Sequence, residues 1–276
     1  MDARTFEPAS EGSGLPLPRG AEPSEVLRVA GELSDTGARV VLATVLARRG
    51  STPSSPGQKL LLADDTTCVG TIGGGAIERE VLLAMKALLV DPDAPPSRVQ
   101  TWKLGAELGM CCGGGVDVLF EVLATATPLL CVGAGHIGAI AAPLLSQCGF
   151  AVTLVDEREG LLDEADTTPR LRRMLGDFDQ AGAFVRRSGA VLAMTHDHQL
   201  DQRVIEWALR EGYAFVGGVG SRAKLARTQA RLEARGFPPS DVARVRMPIG
   251  VAIGARSPQE IAVSIAAELI AWRRGA

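Results

Sequence analysis

The segment GAELGMCCGGGVDVLFE, residues 105–121, sets Cys111 and Cys112 side by side in front of Gly113, Gly114 and Gly115. Adjacent cysteines can close only a strained disulfide, so a structural crosslink is a poor use of them. A thiolate is a soft metal ligand and a nucleophile, and three glycines give it a backbone that a ligand can approach closely. The same pair also reads as small buried hydrophobes on a tight turn. Upstream, Gly73, Gly74 and Gly75 run straight into the helical pattern AIEREVLLAMKALL, where backbone N–H groups can converge on an anion. A third polar loop, RRGSTPSSPGQK at 48–59, carries Gly50 and Ser51 between Arg48, Arg49 and Lys59.

The second half of the chain holds a different kind of chemistry. Gly133-x-Gly135-x-x-Gly138, with His136 inside it, follows the apolar run PLLCV, opens a small-residue helix, and is followed by a second apolar strand that ends in Asp156. That is the dinucleotide-binding fingerprint: the first glycine permits the tight turn, the second lets a phosphate approach, and the third lets helix and strand pack. Two later strand ends carry polar groups. Thr195, His196 and Asp197, with His198 and Asp201, follow the strand at 190–194. Gly220, Ser221, Arg222 and Lys224 follow FVGG, where Gly217 and Gly218 read as part of the same turn. A cation, a hydroxyl and free N–H groups at one helix start suit an anionic head group. With no third histidine nearby, the two histidines read as helix caps or hydrogen-bonding groups ahead of metal ligands.

These groups need two scaffolds. A chain of 276 residues with 46% apolar and 22% charged residues buries a substantial core. The pattern predicts a mobile leader over 1–22, an N-terminal mixed α/β domain over 23–125, and a Rossmann-like, doubly wound parallel-sheet domain over 128–276. In the first, a helix capped by Ser24 and closed by Gly37 precedes short strands that suggest a small mixed sheet. The last segment, SPQEIAVSIAAELIAWRR, carries a capping box of Ser257, Pro258 and Glu260, and its apolar residues cover more than one face, which predicts a homodimer. A net charge of −3 without a run of cations longer than a pair excludes a nucleic-acid footprint. No stretch approaches the roughly 20 apolar residues of a membrane span. Five cysteines at 68, 111, 112, 131 and 148 make no disulfide framework, which predicts a reducing, cytoplasmic setting.

Taken in order, RRGSTPSSPGQKLLL, GTIGGGAIE, LGMCCGG, VGAGHIG, MTHDHQLD, GGVGSRAK and MPIGVAIGARSPQEIAVSIAAELI resemble the xanthine dehydrogenase accessory protein family, XdhC/CoxI, over most of Val40 to Arg274. The resemblance implies a chaperone that binds the molybdenum cofactor (molybdopterin), holds it while a cysteine desulfurase installs its sulfido ligand, and delivers it to a xanthine-dehydrogenase-type molybdoenzyme. What the resemblance implies is a carrier and insertion factor that would not itself turn over purines. In the family pattern Cys112 matches the cysteine before paired glycines, which implies a contact to the cofactor's molybdenum, while Cys111 stands at a more variable position. Ser54 occupies a place where some members carry an arginine, leaving Arg48, Arg49 and Lys59 as substitute cations. Two other readings of the residues stay open. One is an NAD-dependent oxidoreductase using Gly133, Gly135, Gly138 and Asp156, the acid holding a ribose hydroxyl. The other is a thiol or metal redox protein built on Cys111 and Cys112.

Overall fold

The computed structural model describes residues 15–64, 66–91, 93–104, 114–123 and 125–275. Contacts divide the chain into two units, one taking the described residues to Ser34 and from Ala38 to 123, the other Asp35–Gly37 and the described residues from Thr125 onward. Cys111, Cys112 and Gly113, the first residues singled out in the sequence, lie outside the described residues.

The first unit is a five-stranded sheet with a helix on each face. Helix α1 (Pro23–Asp35) buries Val26 and Ala30. It starts at Pro23 rather than behind Ser24, because proline's fixed φ and missing N–H suit the first helical position. Gly37 ends the turn with a φ of 83°. Strands β1 (Val40–Arg49), β2 (Lys59–Ala63), β3 (Cys68–Gly70), β4 (Ser97–Leu104) and β5 (Gly114–Leu123) stand in the order β3-β2-β1-β5-β4. Every ladder between them is antiparallel, which corrects the expected mixed sheet. The parallel element is confined to an isolated bridge from Arg19 to Val69. Tight connections such as DDTT can only join antiparallel neighbours, whereas a parallel pair needs a long crossover. Helix α2 (Gly75–Val90) lies on the face where Val41, Leu60, Val118 and Phe120 meet Ile77, Val81 and Met85. Helix α1 covers the other face through Val40, Leu42, Leu61 and Val69.

The second unit is a six-stranded parallel sheet. Its strands are β6 (Thr127–Val132), β7 (Phe150–Asp156), β8 (Leu171–Leu175), β9 (Ala190–Ala193), β10 (Phe215–Gly218) and β11 (Val245–Arg246), in the order β11-β10-β9-β6-β7-β8. All five ladders are parallel. This order is that of the doubly wound dinucleotide fold, and chain direction across the sheet reverses between β6 and β9, where such sheets bind their ligands. Helices α3 (Gly138–Gln147) and α9 (Pro258–Arg274) cover one face, with Leu145, Ile265 and Leu269 in its core. On the opposite face α6 (His198–Arg210) and α7 (Arg222–Ala234) contribute Val204, Ile205 and Leu232 to the core, and α4 (Glu159–Leu162), α5 (Phe178–Gly182) and α8 (Pro239–Ala243) are short helices of the same unit. The capping box at Ser257 and Glu260 forms as expected. Most apolar residues of α9 are spent inside this core, and Val263 stays 53% exposed. Gly217 and Gly218 are strand residues, not turn residues: a Cβ at Gly218 would stand 2.7 Å from the Met247 side chain.

Candidate functional site

In the first unit three glycine-bearing segments converge. Strand pairing sets Arg49 opposite Gly115 and Leu104 opposite Gly114, so β5 begins beside the end of β1. Gly114 is packed so tightly there that a Cβ would come 2.4 Å from the Ser51 carbonyl oxygen and 2.5 Å from that of Arg49. Gly73 plays the same part on the other side of the loop, with φ 119° and a would-be Cβ 2.8 Å from the Pro53 carbonyl oxygen. Gly50 and Ser51 are exposed, and Gly74 and Gly75, at the start of α2, face open space where a Cβ would meet nothing within 4 Å. Ser54, between these walls, is fully buried, and its Oγ has no hydrogen-bond partner among the described residues. A buried hydroxyl left unpaired costs free energy.

The charges around this cradle differ from the expectation. Arg49 is taken by Asp117 at 2.6 Å, and Lys59 donates to the Thr44 hydroxyl at 2.9 Å. Arg48 is exposed and has no acidic partner among the described residues. Glu78 turns back on the start of α2, where its carboxylate accepts from Thr71 Oγ1 at 2.5 Å and from the Ile72 N–H at 3.2 Å. Gly74 and Gly75 therefore remain the open part of that helix start.

In the second unit each fingerprint glycine has a separate backbone reason. Gly133 turns at φ 108° and donates its N–H to Val155 at 2.8 Å. A Cβ at Gly138 would stand 1.9 Å from the Gly133 carbonyl oxygen, whereas one at Gly135 would meet nothing within 4 Å. His136 is exposed beside it. Asp156, 8% exposed, is already saturated. Its Oδ2 accepts from the Ala134 N–H at 2.8 Å and Arg158 Nη2 at 2.9 Å, and its Oδ1 from the N–H of Arg158 at 3.0 Å and its Nε at 2.9 Å. A ribose hydroxyl would have to compete with Arg158 for this acid. A cleft at the same edge is walled by Val132, Val155, Phe178 and Leu200 and rimmed by Arg158 and His196.

Residues 129–269 match the model of the XdhC Rossmann domain and residues 33–94 that of the XdhC and CoxI family. The chain belongs to the XdhC/CoxI family. It is similar to the uncharacterized protein YqeB of Escherichia coli K12, 30% identical over 90% of this chain and 46% of that protein. It is 34% identical to a probable xanthine dehydrogenase subunit from Bacillus subtilis 168 over 53% of this chain and 43% of that one. The molybdenum cofactor insertion chaperone PaoD of E. coli K12 is 23% identical over 90% of this chain and 88% of its own length. The chain thus spans less than half the length of the first two.

The XdhC Rossmann unit ties its two remaining polar turns together. Asp201, with a side chain only 1% exposed, accepts from the N–H of Thr195 at 3.0 Å and its hydroxyl at 2.8 Å through Oδ1. Its Oδ2 pairs with Lys224 Nζ at 2.5 Å, and Lys224 also donates to the Val219 carbonyl at 2.8 Å. Lys224 is thus paired inside the fold, with contacts that its sequence position did not suggest. Ser221 caps α7 by accepting from the Lys224 N–H, and Arg222 is exposed. The cap of α6 is Asp197, which accepts from the Gln199 N–H at 2.8 Å, rather than either histidine. No group of three His, Cys, Asp or Glu with metal-binding geometry occurs among the described residues, and no described helix is long and apolar enough to cross a membrane.

Among the described cysteines, burial pushes the Cys131 thiol up to about 12, and burial with the nearby Glu78 charge pushes Cys68 to about 11. Thiols so raised carry almost no thiolate near neutrality. Iodoacetamide at about pH 8 is expected to leave both unmodified in the folded protein and to label all five cysteines after urea unfolding. Peptide masses read the outcome, and fast labelling of native Cys131 would contradict the packing. A second titration concerns Asp156. Burial raises its carboxyl, but the bonds from Arg158 and the Ala134 N–H outweigh burial and hold it below the usual aspartate value. Its stabilising contribution is whole above the unfolded value of about 3.9 and disappears as pH falls through the lower folded one. Urea midpoints of the wild type should therefore fall more steeply below about pH 4 than those of Asp156→Asn. Parallel curves would leave Asp156 without a role in acid stability.

Proposed function

We propose that the chain binds the molybdenum cofactor, keeps it during sulfuration by a cysteine desulfurase, and hands it to a xanthine-dehydrogenase-type molybdoenzyme, without turnover of its own. Membership in the XdhC/CoxI family and the likeness to a relative named as a molybdenum cofactor insertion chaperone support the reading. The structural observation that carries it is the convergence of Arg49–Ser51, Pro53–Ser54, Gly73 and Gly114, with the Ser54 hydroxyl buried and unpaired among the described residues. Molybdopterin as cargo brings a phosphate, a flat polar pterin and an oxidation-prone dithiolene–molybdenum end. Open N–H groups at Gly74 and Gly75 suit the phosphate, and Ser54 Oγ suits a polar edge. Cys112 stands two residues before β5 in the sequence, and its thiolate suits the soft metal end. The turn Gly133–Gly138, with Thr195 and Ser221 on neighbouring strand ends, would hold a second phosphate or a nucleotide portion.

The reading is tested by mass spectrometry of ligand released after anaerobic purification. A pterin with molybdenum supports it; a nicotinamide dinucleotide alone would favour the oxidoreductase reading, which has the strand order of the second unit in its favour and the saturated Asp156 against it. Cys112→Ser is expected to lower cofactor retained per folded protein with little change in thermal midpoint, and Cys111→Ser to do so less. Retention equal to wild type in Cys112→Ser would remove the thiol from the function. We also propose a homodimer in a reducing compartment such as the cytoplasm; a monomer in sedimentation at micromolar concentration would exclude the dimer.

A further inference from the structure

Helix α7 with its C-cap carries Arg222, Lys224, Arg227, Arg231 and Arg235 against one acid, Glu233, in a chain whose net charge is −3. Two of these cations are answered within the fold: Lys224 by Asp201, and Arg235 by the buried carboxylate of Glu206. Arg227 and Arg231 are exposed and have no acidic partner among the described residues, and neither has Arg203, which reaches from α6. The Arg227 side chain donates within its own helix, Nε to the Ala223 carbonyl at 3.3 Å. A cleft of about 600 Å³ runs between the two helices, lined by Asp197, Gln199, Gln202 and Arg203 on one side and Arg231 and Arg235 on the other, so that one carboxylate stands among three guanidinium groups. It continues toward the start of α7 as a smaller pocket past His198, Arg227 and Thr228.

A row of solvated arginines alone would be an ordinary helix face. Gln202 is what distinguishes this one. It lines the cleft yet is only 4% exposed; its Nε2 donates to Glu206 at 2.8 Å, and its Oε1 is buried with no partner among the described residues. A buried acceptor without a donor costs free energy until something supplies an N–H or O–H. The cleft therefore asks for two things at once: negative charge for the arginines and a hydrogen-bond donor for Gln202. A fully ionised phosphate offers acceptors only. A polypeptide with acidic side chains offers carboxylates for the bidentate guanidinium forks and N–H donors from its backbone.

We infer that the α6–α7 cleft is a docking surface for an acidic segment of a protein partner. Arg227, Arg231 and Arg235 recur every fourth residue, so the first and last stand about 12 Å apart along the helix. An acidic helix with carboxylates at the same spacing presents a matching row, because residues four apart lie on one face. Arg227 and Arg231 supply the free charge, Arg203 flanks the segment from α6, and Gln202 Oε1 accepts one N–H or O–H. The inference concerns residues outside both glycine sites and stands whether or not the cargo is molybdopterin.

The probe is a short fluorescein-labelled peptide with glutamate at every fourth position, titrated with the full chain and followed by anisotropy. Binding is expected at low ionic strength and to weaken steadily with added salt, as exposed charge pairs do. Arg227→Glu combined with Arg231→Glu should weaken it by on the order of tenfold or more, while Arg79→Glu, on α2, leaves it unchanged. Both groove arginines are exposed, so equal thermal midpoints confirm that folding is not the cause. Gln202→Leu should weaken the peptide, measured per folded protein. Undiminished peptide binding in the arginine double variant would overturn the inference. So would a poly-uridine oligonucleotide of equal charge binding as tightly as the peptide, which would make the cleft a general anion surface.

Discussion

Lys224→Met is expected to lower the free energy of unfolding by about 3–5 kcal/mol, the range for removing one partner from a buried ion pair. The Asp201 side chain is 1% exposed and that of Lys224 13%, so solvent screens the pair little. Without Lys224 the carboxylate keeps Thr195 as a donor but loses its only counter-charge among the described residues. The Val219 carbonyl loses a donor in the same step. The damage would spread beyond one contact, because the pair ties the loop after β9 to the loop after β10. A second substitution, Asp201→Asn, removes the stranded charge and should restore a large part of the loss in the double variant. Urea unfolding at neutral pH of the wild type, both single variants and the double variant gives the cycle. A loss below about 1 kcal/mol for Lys224→Met would mean that the pair behaves as a surface salt bridge and that Lys224 is available to a ligand after all.

The partners of Lys224 show where sequence reading stops. As a cation beside Gly220 and Ser221 at a helix start, it has the local features of an anion site, and nothing local reveals that a carboxylate on the preceding helix reaches it. The Rossmann unit was legible because each of its signals is local: Gly133, Gly135 and Gly138 sit within one turn, and Asp156 ends the adjacent strand. The first unit was legible as strands and helices but not as a sheet. Strand direction depends on which distant segments pair, and the β1–β5 ladder joins Val40 to Leu123 across most of the unit. The approach of Gly114 to Ser51 and of Gly73 to Pro53 is a consequence of that pairing, so the glycines could be singled out in the sequence but not brought together. The buried, unpaired oxygens of Ser54 and Gln202 left no trace in the sequence, since burial is set by neighbours remote along the chain. The arginines of α7 did leave one. A search for contiguous cations passes over Arg227, Arg231 and Arg235, which form a row only when read at helical spacing.

Two glycines of one fingerprint should separate folding from ligand binding more sharply than any other pair in the chain. Gly138→Ala places a Cβ 1.9 Å from the Gly133 carbonyl oxygen and 3.0 Å from its carbonyl carbon. These are backbone atoms, so no side chain can swing aside, and the turn itself must open. A loss of about 3 kcal/mol is expected, the upper part of the usual range for overpacking. At Gly135 the surroundings are empty to 4 Å and the backbone lies outside the left-handed region, so Gly135→Val should fold with a thermal midpoint near that of wild type. Its branched side chain would instead fill the space through which a phosphate reaches the N–H groups at the start of α3. If that turn holds part of the cargo, Gly135→Val retains little pterin or nucleotide per folded protein after anaerobic purification, while Gly138→Ala loses retention only in step with its folded fraction. Full retention in Gly135→Val would show that the glycine turn is scaffold alone, and would leave the cradle around Ser54 to hold the ligand.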